Sequence, residues 1–205
     1  MLITETDHPR IADAIRQAEA KTSGEIFCVI ARASSEYRLV PVCWAALIAL
    51  ISPFGLLYFT SWPALSIYLA QLGIFFASLY GLSRPSVRFL IVPRQTRNDR
   101  AHAEALRQFR AQGLHLTESR TGVLIFASAA ERYAEIVADA GINEKVSPEV
   151  WDRAIAALIA AVKDDRPGDG FIEAVQQCGA VLAEHFPVAP GARNPDELPD
   201  KLVEL

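Results

Sequence analysis

The order of apolar and polar residues divides the start of the chain into two different elements. Residues 7–21 place Ile11, Ile15 and Ala18 on one face of a helix. Residues 25–31 are almost continuously apolar and rich in strand-forming side chains. That composition is typical of a strand covered on both faces. We therefore predict an amphipathic helix followed by a buried strand.

The segment from Leu39 to Ser83 contains 45 residues without a single Asp, Glu, Lys, Arg or His, and 32 of them are apolar. Because a helix needs roughly 20 residues to cross a bilayer, this length predicts a transmembrane hairpin. Its spans would be residues 40–59 and 65–82, with the turn before Pro63, which disfavours helix in the preceding residue. A buried helical hairpin in a soluble protein is the alternative, and it leaves the lack of charge unexplained.

The remaining pattern predicts a soluble domain that the hairpin interrupts. It indicates a polar helix from Pro93 to Gly113, strands at 121–128 and 132–139, and amphipathic helices at 148–162 and 171–186. The first two strands are joined by a long crossover, so they should be parallel if they are adjacent. The second and third should form a β-hairpin.

Four segments follow from this order of elements. Residues 1–38 hold the first helix and strand, 39–83 the hairpin, 84–187 the rest of an α/β domain, and 188–205 a tail. The tail contains Pro190, Gly191, Pro195 and Pro199 and no sustained period. We therefore expect it to be flexible.

Arginines flank the uncharged segment on both sides, whereas its turn carries no charge. They are Arg32 and Arg38 before it, and Arg84, Arg88, Arg94, Arg97 and Arg100 after it. By the positive-inside rule, both soluble segments should lie in the cytoplasm. Residues 1–20 mix acids and bases and lack the apolar core of a secretory signal. We predict a two-pass protein of the bacterial inner (plasma) membrane with both termini cytoplasmic.

Net charge varies along the chain, from −1 over residues 1–38 to +5 over 84–120 and −8 over 121–205. The basic segment directly follows the predicted membrane exit. We expect Arg84, Arg88, Arg94 and Arg97 to contact anionic lipid headgroups of the bilayer, at about 1 kcal/mol for each well-placed side chain. Nucleic-acid binding is disfavoured, because this segment has few aromatics and the whole chain is mildly acidic.

Several short motifs, taken in order, resemble the TPM domain. They are Thr22-Ser23-Gly24-Glu25-Ile26, residues 120–126, the strand 131–139 with Gly141-Ile142, Trp151, and Gly168-Asp169-Gly170. The family is named after a thylakoid-lumen acid phosphatase, a photosystem repair factor and a modulator of acetylcholine receptors. The chain resembles in particular a bacterial membrane branch of this family with no assigned activity. The resemblance implies a small mixed β-sheet sandwiched by helices and, in some members, a calcium site and phosphatase activity. Two features depart from it: the anchor interrupts the domain, and Gly170 stands where relatives often have an aromatic residue.

Carboxylates are the only group numerous enough to build a site. Asp139 follows a predicted strand, and Asp164, Asp165 and Asp169 lie in one loop. These oxygens could bind Ca²⁺ or Mg²⁺, which prefer such ligands. Structural roles are the alternative: Asp169 can cap the last helix, Asp164 and Asp165 can lie in a solvated loop, and Asp139 in a turn.

Other catalytic chemistry is not indicated by the sequence. The histidines are isolated, the three cysteines are far apart, and there is no phosphate-binding loop, dinucleotide fingerprint or nucleophile elbow. One hypothesis is an accessory or interaction module at the inner leaflet with a membrane-protein partner. The other, which rests on the resemblance and the acidic loop, is a divalent-metal-dependent phosphatase.

Overall fold

The computed structural model describes residues 3–37, 39–84, 87, 91–117, 119–188 and 197–205. The chain forms two compact units. One contains residues 1–34 and 98–205, and the other contains residues 35–97. In chain order the elements are α1 (Asp7–Glu19), β1 (Glu25–Ala31), α2 (Leu39–Phe59), α3 (Ala64–Leu82), α4 (Arg94–Ala111), β2 (Gly122–Ser128), β3 (Tyr133–Ala138), α5 (Ala140–Asn143), α6 (Asp152–Lys163), α7 (Pro167–His185) and β4 (Leu202–Glu204). Short 3-10 turns occupy Leu114–Leu116 and Pro148–Trp151.

The first unit is built on a four-stranded mixed sheet with the order β3-β2-β1-β4. β1 and β2 are parallel over their whole length, from Glu25 opposite Gly122 to Ala31 opposite Ser128. β2 and β3 are antiparallel. The predicted α/β class, the parallel pair and the β-hairpin are all confirmed.

Alternate residues of β1 and β2 pack on opposite faces of the sheet, which explains why both strands are apolar throughout. Even-numbered β1 residues such as Ile26 and Cys28 join a core made by α1, α6 and α7. Phe27 and Val29 join a second core with Ala105 and other residues of α4. Every residue of both strands is buried. The sheet therefore lies between two helix layers, as the resemblance implied.

Close helix packing accounts for the glycine at position 170. A Cβ on Gly170 would lie 2.6 Å from Ala161 Cβ and 3.2 Å from Leu158 Cδ1. Both neighbours belong to α6, so any larger residue would push α6 and α7 apart. α7 begins at Pro167, four residues before the predicted start, and it includes Gly170 in its first turn.

The end of the chain differs from the prediction of a flexible tail. Leu202–Glu204 form β4, which pairs in parallel with Cys28–Ile30 of β1. Leu205 N donates to Ile30 O at 2.9 Å, and Leu205 O accepts from Arg32 N at 3.0 Å. A three-residue strand is too short to show a period, and its partner lies about 170 residues away. The prediction is wrong for these residues, and positions 189–196 lie outside the described part of the chain.

The second unit consists mainly of α2 and α3, which pack against each other. They are joined by residues 60–63, and Pro63 O accepts from Ser66 N at 2.9 Å to start α3. Ala45 and Ala49 of α2 and Ile67 of α3 are buried. The helix limits agree with the predicted spans to within one residue at each end.

Candidate functional site

α2 and α3 are long and apolar enough to cross a membrane. The most apolar 18-residue stretches of the two helices have mean hydropathies of 2.1 and 1.6, yet only 17% and 6% of the residues in these stretches are buried. Among the described residues, every large hydrophobic side chain that is exposed lies between Leu39 and Tyr80, except Leu116, Val150 and Leu205. An apolar surface of this extent is typical of a membrane or interaction site.

The described basic residues after α3 are solvent-accessible. Arg84 Nη2 donates to Tyr80 Oη at 2.8 Å, and its guanidinium carbon lies 5.0 Å from the centre of that ring. Arg94 is exposed and Arg97 is half-buried. Arg88 lies outside the described residues. Contact of these arginines with lipid stays a prediction.

Asp139 has a structural environment. It caps α5, since its Oδ1 accepts from Ala140 N at 2.7 Å. Arg120 holds it from the other side, with Nε 2.8 Å from Oδ2 and Nη2 3.2 Å from Oδ1. The same ion pair raises the pKa of Arg120, first through the hydrogen bond to Asp139 and then through its charge. Both oxygens of Asp139 are therefore already bonded.

Two of the three loop aspartates also pair with arginines. Asp169, in the first turn of α7, accepts from Arg10 Nη2 at 2.9 Å. Asp164 Oδ2 lies 3.4 Å from Arg166 Nη2. Asp165 adopts a left-handed backbone conformation with φ of 59°. These contacts match the structural alternative, in which the aspartates lie in a loop and at a helix start.

The described residues contain no group of three or more His, Cys, Asp or Glu side chains that could hold a metal ion. Asp139, Asp164, Asp165 and Asp169 all lie within that part of the chain. The structure therefore does not bring the four aspartates together into the metal site that the sequence suggested. Instead, Asp139, Asp164 and Asp169 each form an ion pair with an arginine.

A different set of carboxyl groups meets where β4 joins the sheet. Glu19 and Glu25 are buried, at 8% and 4% exposure. Glu19 Oε1 accepts from Ile26 N at 2.7 Å, and Glu25 Oε2 accepts from Leu198 N at 3.2 Å. Asp200 lies within hydrogen-bonding reach of Glu19. Sequence reasoning missed this cluster, because Glu19 ends an amphipathic helix and Asp200 lies in a segment with no pattern.

The environment of Glu19 strongly favours its protonated form. Burial raises its pKa to about 9, against the opposing effect of the Ile26 amide, and the charges of Glu25 and Asp200 raise it further. Asp200 Oδ1 is buried and has no hydrogen-bond partner among the described residues. Its other oxygen, Oδ2, accepts from Arg16 Nε at 3.4 Å. Protonated Glu19 is therefore a hydrogen-bond donor that lies beside Asp200 Oδ1, an acceptor without a donor among the described residues.

Glu131 is a further buried carboxylate, and its role is structural. Both its oxygens accept from Ser34 N, at 3.1 and 3.2 Å, and Ser128 Oγ donates to one of them. Arg132, which follows it, has a φ of 52°. Glu131 therefore fixes the turn between β2 and β3 to the segment after β1.

A polar network joins α4 to β3. His102 Nδ1 lies 2.8 Å from Glu135 Oε1, and Tyr133 Oη donates to Glu135 Oε2 at 2.9 Å. Burial raises the pKa of Tyr133, and the charge of Glu135 adds to the effect. Half of the His102 side chain is exposed. His102 therefore places one end of this network at the protein surface.

A groove of about 570 Å³ runs between α1 and α7. Small residues line much of it, and Arg10, Asp13 and Lys21 are its charged residues. The helices approach closely there, since a Cβ on Gly179 would lie 2.6 Å from Ala18 Cβ. The lining contains no hydroxyl, thiol or imidazole. Its candidate nucleophiles are therefore limited to the Lys21 amine and the Asp13 carboxylate.

Comparison with known proteins gives two matches. The sequence model of the TPM domain family matches residues 75–181, just over half of the chain. The fold is similar to the NMR structure of the BA42 protein from the psychrophilic bacterium Bizionia argentinensis, with a TM-score of 0.60 and 21% sequence identity. That similarity covers 98% of this chain and 94% of the other. No curated protein sequence matches the chain.

Proposed function

Because the chain belongs to the TPM domain family, we propose that it is a membrane-anchored TPM domain that acts as an accessory or interaction module at the inner leaflet of the bacterial plasma membrane. The observation that carries this proposal is the exposed apolar surface of α2 and α3. The two helices contain 21 and 19 residues. At 1.5 Å per residue, each is about 30 Å long, which is the thickness of the hydrocarbon core.

The distribution of charge supports an orientation with both soluble segments in the cytoplasm. The turn at residues 60–63 is uncharged, whereas arginines precede α2 and follow α3. Tyr80 and Arg84, which bond to each other at the end of α3, suit a position at the headgroup level. Trp62, exposed in the turn, suits the opposite interface.

The carboxylates support an accessory role over the phosphatase hypothesis. Asp139, Asp164 and Asp169 pair with arginines. Among the described side chains there is no cluster that could hold a divalent ion. The groove between α1 and α7 offers a surface for a protein partner and no nucleophilic hydroxyl or thiol.

Membrane insertion can be tested with charged substitutions. Leu50 and Leu72 lie near the centres of α2 and α3 and are both exposed. We expect Leu50→Arg combined with Leu72→Arg to move the full chain out of the carbonate-resistant membrane fraction, because each arginine costs about 2.5–3.5 kcal/mol at the centre of a span. Leu116→Arg, at an exposed leucine of the first unit, is the matched control and should leave the protein in the membrane. Retention of the double variant in the membrane would contradict the anchor.

The orientation needs a separate measurement. Reporter fusions at the C-terminus should be active for a cytoplasmic reporter and inactive for one that works only in the periplasm. The reverse result would overturn the cytoplasmic assignment while leaving the anchor intact.

The accessory role is tested by cross-linking in intact membranes followed by purification in detergent. A specific membrane protein should be recovered with the full chain and lost when Arg10 and Lys21 at the groove are replaced by Glu. Purified protein should not hydrolyse p-nitrophenyl phosphate with Ca²⁺, Mg²⁺ or chelator. Metal-dependent hydrolysis that Asp139→Asn and Asp169→Asn abolish would replace the accessory role with the phosphatase.

A further inference from the structure

The C-terminal segment, residues 197–205, is held to the edge of the sheet by a small number of contacts. The backbone of β4 pairs with three residues of β1. Leu205 adds one hydrogen bond to Ile30 and one from Arg32. Leu198 N donates to Glu25, Arg16 donates to Asp200, and His8 contacts Glu204. A strand this short gains little from backbone pairing alone, so side-chain contacts must contribute to its position.

Two carboxyl groups meet at the base of this segment. Glu19 is buried at the end of α1, and its Oε1 accepts from Ile26 N. Asp200, on the segment, lies within hydrogen-bonding reach of Glu19. Asp200 Oδ1 is buried without a hydrogen-bond partner among the described residues. Two ionised carboxylates in this arrangement would repel each other, whereas one proton between them supplies the missing donor.

We propose that Glu19 and Asp200 share one proton, and that this shared proton latches residues 197–205 onto the edge of β1. Loss of the proton releases the segment. The backbone groups of Cys28–Ile30 that pair with β4 are then left as an open strand edge, which is a site for pairing with another strand.

Among the described residues that face the pair, acidic groups outnumber basic ones. From α1, Arg16 faces Asp200, but it is shared with Asp13 and is mostly exposed. From β1, the neighbours are the acidic Glu25 and the buried thiol of Cys28. The segment itself contributes Glu204, whose partner His8 is positive only when protonated. In alkaline solution these described neighbours therefore carry more negative than positive charge.

The chemistry of the pair also sets the pH at which the latch opens. Burial raises the pKa of Glu19 to about 9. The proton should thus be present at neutral pH and lost in mildly alkaline solution. Above that pKa, the latched population falls about tenfold for each further pH unit.

Hydrogen exchange of the full chain in detergent micelles tests the latch. The probes are the amides of Leu205 and Arg32, which bond across the β1–β4 junction. Their protection, taken relative to the intrinsic exchange rate at each pH, should fall about tenfold between pH 7 and pH 10. The amide of Glu25, which donates to Thr121 O on the β2 side, should keep its protection. Equal protection of Leu205 and Arg32 at both pH values would overturn the proposal.

Variants separate the shared proton from other effects of alkali. Glu19→Gln carries an amide that donates to Asp200 as the protonated acid does, so its Leu205 protection should be the same at pH 7 and pH 10. Should this variant fail to fold, Asp200→Asn makes the same test, because its amide donates to ionised Glu19. Glu184→Gln removes an exposed carboxylate near the end of α7 and should behave as the wild type. A tenfold loss that persists in the folded Gln or Asn variant would show that the pair is not the latch.

Discussion

Arg120 and Asp139 form a two-point ion pair that joins the start of β2 to the end of β3, with Nε–Oδ2 and Nη2–Oδ1 distances of 2.8 and 3.2 Å. Arg120 adopts a left-handed backbone conformation, with φ of 55°, immediately before β2. Asp139 is buried and also caps α5. An aspartate that the sequence marks as a metal ligand is therefore part of the framework that closes the β-hairpin onto α5.

Replacing Asp139 should affect stability and should do so without metal. Asp139→Asn keeps a capping oxygen but loses the charge that faces Arg120, and we expect it to lower the free energy of unfolding by about 1–2 kcal/mol. Thermal unfolding of the full chain in detergent measures the effect. Asp164→Asn, at an exposed site, should change stability by less than about 0.5 kcal/mol. If Ca²⁺ raised the melting temperature of the wild type but not of Asp139→Asn, Asp139 would be a metal ligand after all.

The contact between Ala18 of α1 and Gly179 of α7 should not tolerate an added methyl group. A Cβ at position 179 would lie 2.6 Å from Ala18 Cβ and 3.3 Å from its Cα. We expect Gly179→Ala to destabilise the protein by about 1–3 kcal/mol, because overpacking forces the helices apart. Ala18→Gly in the same chain removes the nearest clashing atom and should recover part of the loss, which a double-mutant cycle measures. Additive effects would mean that the two helices do not pack at this distance.

β4 should contribute to the stability of the domain. Leu202 is only 5% exposed, whereas Leu205 is 45% exposed. We expect Leu202→Ala to cost about 2 kcal/mol, the lower end of the range for a buried leucine, because β4 lies at a sheet edge. Leu205→Ala is the matched control and should cost much less. Equal, negligible effects of the two changes on thermal unfolding would instead support the flexible tail that the sequence predicted.

Stability should decrease as the pH rises from weakly acidic to alkaline values. The folded protein raises the pKa of Glu19 from 4.5 to about 9. The folded state thus binds a proton that the unfolded state releases, and this stabilisation is complete below pH 4.5 and lost as pH reaches about 9. Hydrogen bonds from Thr4 lower the pKa of Asp7. Burial alone would raise the pKa of Glu104, but hydrogen bonds from Arg107 and Gln108 outweigh this effect and lower that pKa as well. Both carboxylates therefore lose their contribution to stability only as the pH falls into the acidic range.

Melting temperatures at pH 6 and pH 9 measure this dependence. The wild type should melt at a lower temperature at pH 9, and Glu19→Gln should reduce the difference. Glu184→Gln should leave it unchanged. A difference of the same size in Glu19→Gln would assign the pH dependence to other groups.

Much of the fold could be predicted because its signals are local. Residues 25–31 and 122–128 are apolar throughout, and the structure buries both faces of these strands. α2 and α3 follow from one uncharged run with a proline at its turn. β4 could not be predicted in the same way, because Leu202–Glu204 form a strand only through pairing with β1.

The candidate site was harder to predict than the fold, since carboxylates look alike in a sequence. Asp139 and Asp169 drew attention through their positions at element ends, and the structure pairs them with Arg120 and Arg10. Nothing in the sequence pattern singled out Glu19, although it is the carboxyl group whose pKa is raised to about 9. Its protonation depends on burial and on neighbours that are distant along the chain.

By itself the sequence determined most of the helices and strands and which two helices could enter a membrane, because hydrophobic periodicity and the absence of charge act over neighbouring residues. Only the tertiary structure decided where the end of the chain docks and which carboxyl groups meet. Glu19 and Asp200 are 181 positions apart in the chain, and the fold alone places them within hydrogen-bonding reach of each other. The free energy of a charged group depends on its distance from other groups and from water, and those distances are set by the fold.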